Sequence, residues 1–76
     1  MQQERLEFPD DGGVWRIDLR INAGDSVSPG DTIAVIESDS AGAEIDAPQV
    51  MRIVRIKPIT RGYLLFFENP NDALSP

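Results

Sequence analysis

Apolar and polar residues alternate along most of this chain. Trp15, Ile17, Leu19 and Ile21 fall on one face at period two, with Arg16, Asp18 and Arg20 on the other, and that spacing predicts a half-buried strand. Leu6 and Phe8 alternate with Glu7 before Pro9-Asp10-Asp11-Gly12-Gly13 breaks the run, so a shorter strand is expected there. The polar residues before it, Met1 to Glu4, are expected to fray. Asn22-Ala23-Gly24-Asp25 and Pro29-Gly30-Asp31 carry turn chemistry on either side of Val27. The apolar run Ile33-Ala34-Val35-Ile36 and the alternation Glu44-Ile45-Asp46 predict two further strands joined by a polar turn. In that turn Ser38, Asp39 and Ser40 are residues whose side chains bond back to nearby backbone, and Gly42 tolerates dihedrals that other residues avoid. No apolar spacing of three or four residues persists, so the pattern implies a small all-β fold with no helix longer than about a turn. Trp15, the largest side chain on its face, is expected to anchor the core.

The second half echoes the first. Val14-Trp15-Arg16-Ile17 returns as Val50-Met51-Arg52-Ile53, an offset of 36 (14 to 50). Val27 to Gly30 with Ile33 and Val35 returns as Ile59 to Gly62 with Leu65 and Phe67, an offset of 32 (27 to 59). The second copy has therefore lost about four residues between its strand and its turn. The loss falls at Ile56-Lys57-Pro58-Ile59, where a tight corner bent by Pro58 is expected, since proline cannot continue a strand ladder.

Composition narrows the chemistry. Seventy-six residues without Cys make one small domain held by core packing alone, and leave the redox compartment open. A formal net charge of -6 disfavours nucleic acid and anionic membrane as partners and favours a protein partner with a basic docking surface. With no apolar run long enough to span a bilayer and no signal-like start, a cytoplasmic location is the expectation, for a whole protein or for a domain cut from a larger one. The absence of His and Cys removes the common nucleophile and base pairs, thiol chemistry and ordinary zinc sites, so no enzymatic role is expected. Ser26, Ser28, Ser38, Ser40 and Ser75 have no imidazole to activate them. The one lysine, Lys57, reads as a solvated side chain, and the carboxylate pairs Asp10/Asp11, Glu37/Asp39 and Glu44/Asp46 read as solvated charge, with too few fixed oxygens for a tight calcium site. Arg16, Arg20, Arg52 and Arg55 are candidates for a basic patch, although pairing across strands is the expected use.

One stretch carries a resemblance. Glu37-Ser38-Asp39-Ser40-Ala41, followed by Glu44-Ile45-Asp46-Ala47-Pro48, resembles the lipoyl-attachment hairpin of the biotinyl/lipoyl carrier domains. Gly24, Asp25, Val27 and Gly30 stand where those domains carry their Gly-Asp turn, and the two related halves resemble their quasi-twofold flattened barrel, a barrel-sandwich hybrid. The resemblance spans residues 6–68, leaving residues 1–5 as a frayed start and 69–76 as a flexible tail. Two positions depart from the pattern. Ser40 stands where the family has the lysine that takes the prosthetic group, and Met51 stands where a glycine opens the second half. A hydroxyl cannot form the usual amide, so the resemblance implies the fold and no cofactor: lipoate or biotin would require a lysine at position 40. What it implies for function is a carrier-like domain working as a non-catalytic interaction module in a multicomponent enzyme or related assembly. Glu37, Asp39, Ser40, Ala41, Glu44 and Asp46 are then its partner-binding residues. Two alternatives stay open, a working swinging-arm carrier with lysine in place of Ser40, and a structural domain of an efflux-type adaptor.

Overall fold

The computed structural model describes residues 1–70, and among them seven strands and no helix occur. In chain order these are β1 (Gln2–Glu7), β2 (Arg16–Leu19), β3 (Ser26–Val27), β4 (Thr32–Glu37), β5 (Gly42–Asp46), β6 (Met51–Ile59) and β7 (Gly62–Glu68). All pairings are antiparallel and fall into two sheets, one ordered β1-β7-β6-β3 and the other β2-β4-β5. Leu6, Ile33, Met51, Ile53, Leu65 and Phe67 are fully buried in a core to which both sheets contribute. Burial of a shared apolar face is what joins two such small sheets. Ile17 and Leu19 pack against that core from β2, and Ile21 beyond it is buried, as the period-two reading requires.

Both predicted turns form, and in the same way. The Asp25 carboxylate accepts from the Asn22 amide at 2.8 Å and the Asp31 carboxylate from the Ser28 amide at 2.8 Å, while each aspartate's own amide donates back across the turn at 3.1 Å. Aspartate at the closing position thus satisfies backbone that a four-residue turn would leave to water.

Arg16 and Arg52, related by the offset of 36, sit in like positions in the two sheets. In one sheet Arg16 of β2 lies opposite Glu37 of β4, and in the other Arg52 of β6 lies opposite Glu68 of β7. Both are ion-paired, Arg16 with Glu37 at 3.2 Å and Arg52 with Glu68. Past Ile53 the β6–β7 register slips by one residue at a bulge, leaving Val54 exposed and moving the inward position to Ile56. A one-residue slip must exchange the two faces of a strand, because side chains alternate at period two.

Two expectations are corrected. The start of the chain is not frayed: β1 begins at Gln2 and pairs with β7 from Gln2↔Phe67 to Glu7↔Gly62. Side-chain polarity misled the reading, since the edge of β7 supplies backbone partners to any extended segment. No corner forms at Pro58 either, because β6 runs straight through it to a two-residue turn at Thr60 and Arg61. Ile59 and Gly62 close that turn, so the next pair, Pro58 and Tyr63, is of the kind that exchanges no backbone bonds. The Pro58 nitrogen faces away from β7, on an edge that β3 covers only at Met51 and Arg52, and its missing N–H costs no ladder bond.

These pairings give the domain two poles. Leu6, Ile17 and Gly62 meet at one, which places the β1–β2 loop, the β4–β5 turn and the β6–β7 turn together there. At the other, the Gln49 side chain donates to Gln2 at 3.3 Å and accepts from Asn69 at 2.8 Å, tying both ends of the described chain to the residues after β5. Of the expected tail, Asn69 is thus held, and residues 71–76 lie outside the described residues.

Candidate functional site at the β4–β5 turn

β4 is apolar because it is buried, and its last residue, Glu37, marks where the chain leaves the core. The Ser38 amide then donates to the Ala41 carbonyl at 2.8 Å, so only Asp39 and Ser40 form the apex. Among the described residues none other than glycine has positive φ, and Gly42 is not among the glycines that do. The turn is therefore not of the primed type that fits a hairpin without help. Ser38 supplies the help: its Oγ accepts from the Ala41 amide at 3.2 Å and from the Ser40 amide at 3.4 Å. Of the three side chains expected to bond back to the turn, Ser38 alone does so, and Gly42 sits in β5 with an ordinary strand conformation.

The six residues expected to bind a partner are divided by the fold. Asp39 and Ser40 are exposed at the apex, and Ala41, which closes the turn beside them, is exposed too. Glu37 stands beside them half-buried, with its charge met by Arg16. Glu44 is exposed opposite Val35, partway along β5. Asp46 lies opposite Thr32, whose hydroxyl donates to it at 3.2 Å, at the end of the strand remote from the turn. A single contact at the tip therefore reaches Asp39, Ser40 and Ala41 directly, and Asp46 not at all.

Sequence reasoning missed a neighbour. The β1–β2 loop folds over so that Asp11, Gly13, Val14 and Trp15 line, with Ser38, Asp39 and Ser40, an open cavity of about 280 Å³. Asp11 organises it: one carboxylate oxygen accepts from the Gly13 amide at 2.9 Å and from the Trp15 indole N–H at 2.9 Å. Those two bonds, the Gly13 amide first, hold the Asp11 carboxyl below its ordinary range. Trp15 is half-buried against this loop and turn, and is absent from the core cluster and from the side chains packed on it. This corrects the expectation of a core anchor. Trp15 precedes β2, so the alternation that turns Ile17 and Leu19 inward does not constrain it. The signal was present in the Asp11-Gly12-Gly13 run, since an aspartate bonding the amide two residues on is ordinary turn chemistry.

The far side of the loop is fastened by Arg61, which reaches Glu7 and Asp10, each at 3.1 Å. Arg5 and then Arg61 lower the Glu7 carboxyl. No basic patch assembles from the four arginines considered for one. Arg20 pairs with Asp18 at 3.0 Å, Arg16 and Arg52 with their glutamates, and Arg55 lies over the Phe66 ring at 5.8 Å. Lys57 is exposed in β6 opposite Leu64, two residues before Ile59 closes the β6–β7 turn. Among the described residues no three acidic side chains gather as metal ligands, and no helix is long and apolar enough to cross a membrane. What the tip offers chemically is hydrogen bonding, negative charge and one indole. Comparison with protein-family models, with curated proteins and with solved structures finds no match to this chain.

Proposed function

We propose that this chain is a biotinyl/lipoyl carrier-like domain, a barrel-sandwich hybrid, that lacks the attachment lysine and acts as a non-catalytic protein-interaction module. The observation that carries the reading is Ser40, exposed at the apex of a two-residue turn whose geometry is maintained by Ser38 and the strands, without use of the Ser40 side chain. That is the placement an attached arm needs, in a chain with no amine there. Arg16 and Arg52, echoed at an offset of 36, each pair with a glutamate on the neighbouring antiparallel strand, Glu37 and Glu68, and this likeness supports two related halves. The poles support it too, since the turn points away from both Gln2 and Asn69, as a domain presenting its tip to a partner requires.

Lipoate and biotin do not fit the chain as it stands. The Ser40 hydroxyl cannot supply the amide nitrogen, and the sole lysine lies within β6 and not at the apex of the β4–β5 turn. The hairpin remains useful as a recognition surface, because exposed carboxylates at Asp39 and Glu44 attract a basic partner whether or not an arm is present. Mass spectrometry after incubation with a lipoate ligase tests the reading. The Ser40→Lys protein is expected to gain the lipoyl mass and the parent to stay unchanged. Modification of the parent would refute the lost-arm reading. A folded Ser40→Lys protein accepted by neither lipoyl- nor biotin-attaching enzymes would show that the hairpin likeness is geometric only.

A further inference from the structure

The cavity between the β1–β2 loop and the β4–β5 turn combines features that the turn by itself does not have. Trp15 forms part of its wall, and the indole N–H is already committed to Asp11, so what remains for a ligand is the aromatic ring. Asp11 and Asp39 contribute two carboxylates to the same lining. Neither takes part in an ion pair among the described residues: Arg16 pairs with Glu37, and Arg61 with Glu7 and Asp10. A half-buried indole beside two carboxylates without counter-ions, on a chain of net charge -6, is complementary to a cation with a flat face. Guanidinium meets that description better than ammonium, because it stacks on a ring while its fork of N–H groups reaches carboxylate oxygens.

We infer that this cavity receives an arginine side chain of a protein partner, stacked against Trp15 and hydrogen-bonded to Asp39 and to the free oxygen of Asp11. The inference rests on the reading of the tip as a docking surface and adds to it the β1–β2 loop and the class of side chain recognised. About 280 Å³ accommodates one such side chain, and Val14 and Ser40 of the same lining are left for the residues that flank it. Val14, at 85 % exposure, offers an apolar surface there for the aliphatic stem of the incoming residue.

The probe is a capped hexa-arginine peptide, titrated into the nitrogen-15-labelled protein at low salt, with hexalysine and hexaglutamate of the same length beside it. The expected result is that the Trp15 indole N–H and the amides of Asp11, Gly13, Asp39 and Ser40 shift together along one saturable curve. Hexalysine is expected to bind more weakly and hexaglutamate not at all. Asp39→Asn, at an exposed position with no partner to lose, is expected to weaken binding about fivefold, as removal of one facing charge predicts. Trp15→Leu is expected to weaken it similarly while the circular dichroism stays that of a β protein. Shifts at Asp39, Ser40 and Glu44 without movement of the Trp15 indole would overturn the cavity and leave the acidic tip as the docking surface. Non-saturating shifts scattered over carboxylates on all faces would overturn both. Equal binding of hexalysine, or an Asp39→Asn protein that binds as the parent does, would refute arginine recognition.

Discussion

Replacing Trp15 with alanine is expected to cost about 2 kcal/mol, roughly half the cost of replacing Phe67, although tryptophan is the larger side chain. The difference comes from where each ring sits. Phe67 is 1 % exposed and enclosed by core residues of both sheets, so Phe67→Ala loses the transfer free energy of the ring and also leaves a closed cavity, a combination worth about 3–5 kcal/mol. Trp15 borders a cavity already open to water, and truncation enlarges a space that solvent fills. Only the transfer contribution, about 1.5–3 kcal/mol for a large apolar side chain, is then lost. The indole hydrogen bond adds little, since Asp11 keeps the Gly13 amide and regains water for the other contact. Urea unfolding followed by far-ultraviolet circular dichroism measures both variants by the same signal, which is needed because Trp15 is the sole tryptophan. A Trp15→Ala protein as destabilised as Phe67→Ala would refute the placement of the indole outside the core.

Other consequences follow from particular contacts. Gly62→Ala places a methyl group into the Leu6 carbonyl and 2.7 Å from the Ile17 side chain, so β1 must leave β7; a melting point lower by about 10 °C or more is expected, and a melt like the parent's would contradict the packing at that pole. Ser38→Ala is expected to speed hydrogen exchange at the Ser40 and Ala41 amides and to cost about 0.5–1 kcal/mol, whereas Ser40→Ala changes neither; equal effects would mean that Ser38 does not secure the turn. The Glu7 and Asp11 carboxyls are lowered in the fold, so their stabilisation is complete above the ordinary carboxylate range and is lost as pH falls through the lowered values. Thermal melts from neutral pH downward are thus expected to decline below about pH 5, and less steeply in a Glu7→Gln/Asp11→Asn protein; identical pH profiles for the two proteins would rule these carboxylates out as the source.

Alternation at period two determines which side chains of β2 and β7 face inward, and it needs only neighbours two residues apart. Ile17, Leu19, Leu65 and Phe67 were legible for that reason, Ile33 was legible from the unbroken apolar run of β4, and the turns at Asn22–Asp25 and Ser28–Asp31 were legible because their aspartates bond backbone three residues away. The β4–β5 turn was legible as a hairpin because its strands, polar apex and return are contiguous. Tertiary structure alone decided what depends on distant partners. Gln2 to Glu4 are ordered by β7, more than fifty residues on, and Pro58 is tolerated because no strand covers that stretch of β6. Charge use was decided in the same way: Glu37 is neutralised by Arg16 across the sheet, while Asp39, two residues later, stays free. The candidate site follows this division. Its apex is local in sequence, but the indole beside it arrives from a loop more than twenty residues earlier, brought there by strand pairing and held by a carboxylate whose role no alternation of apolar residues can reveal.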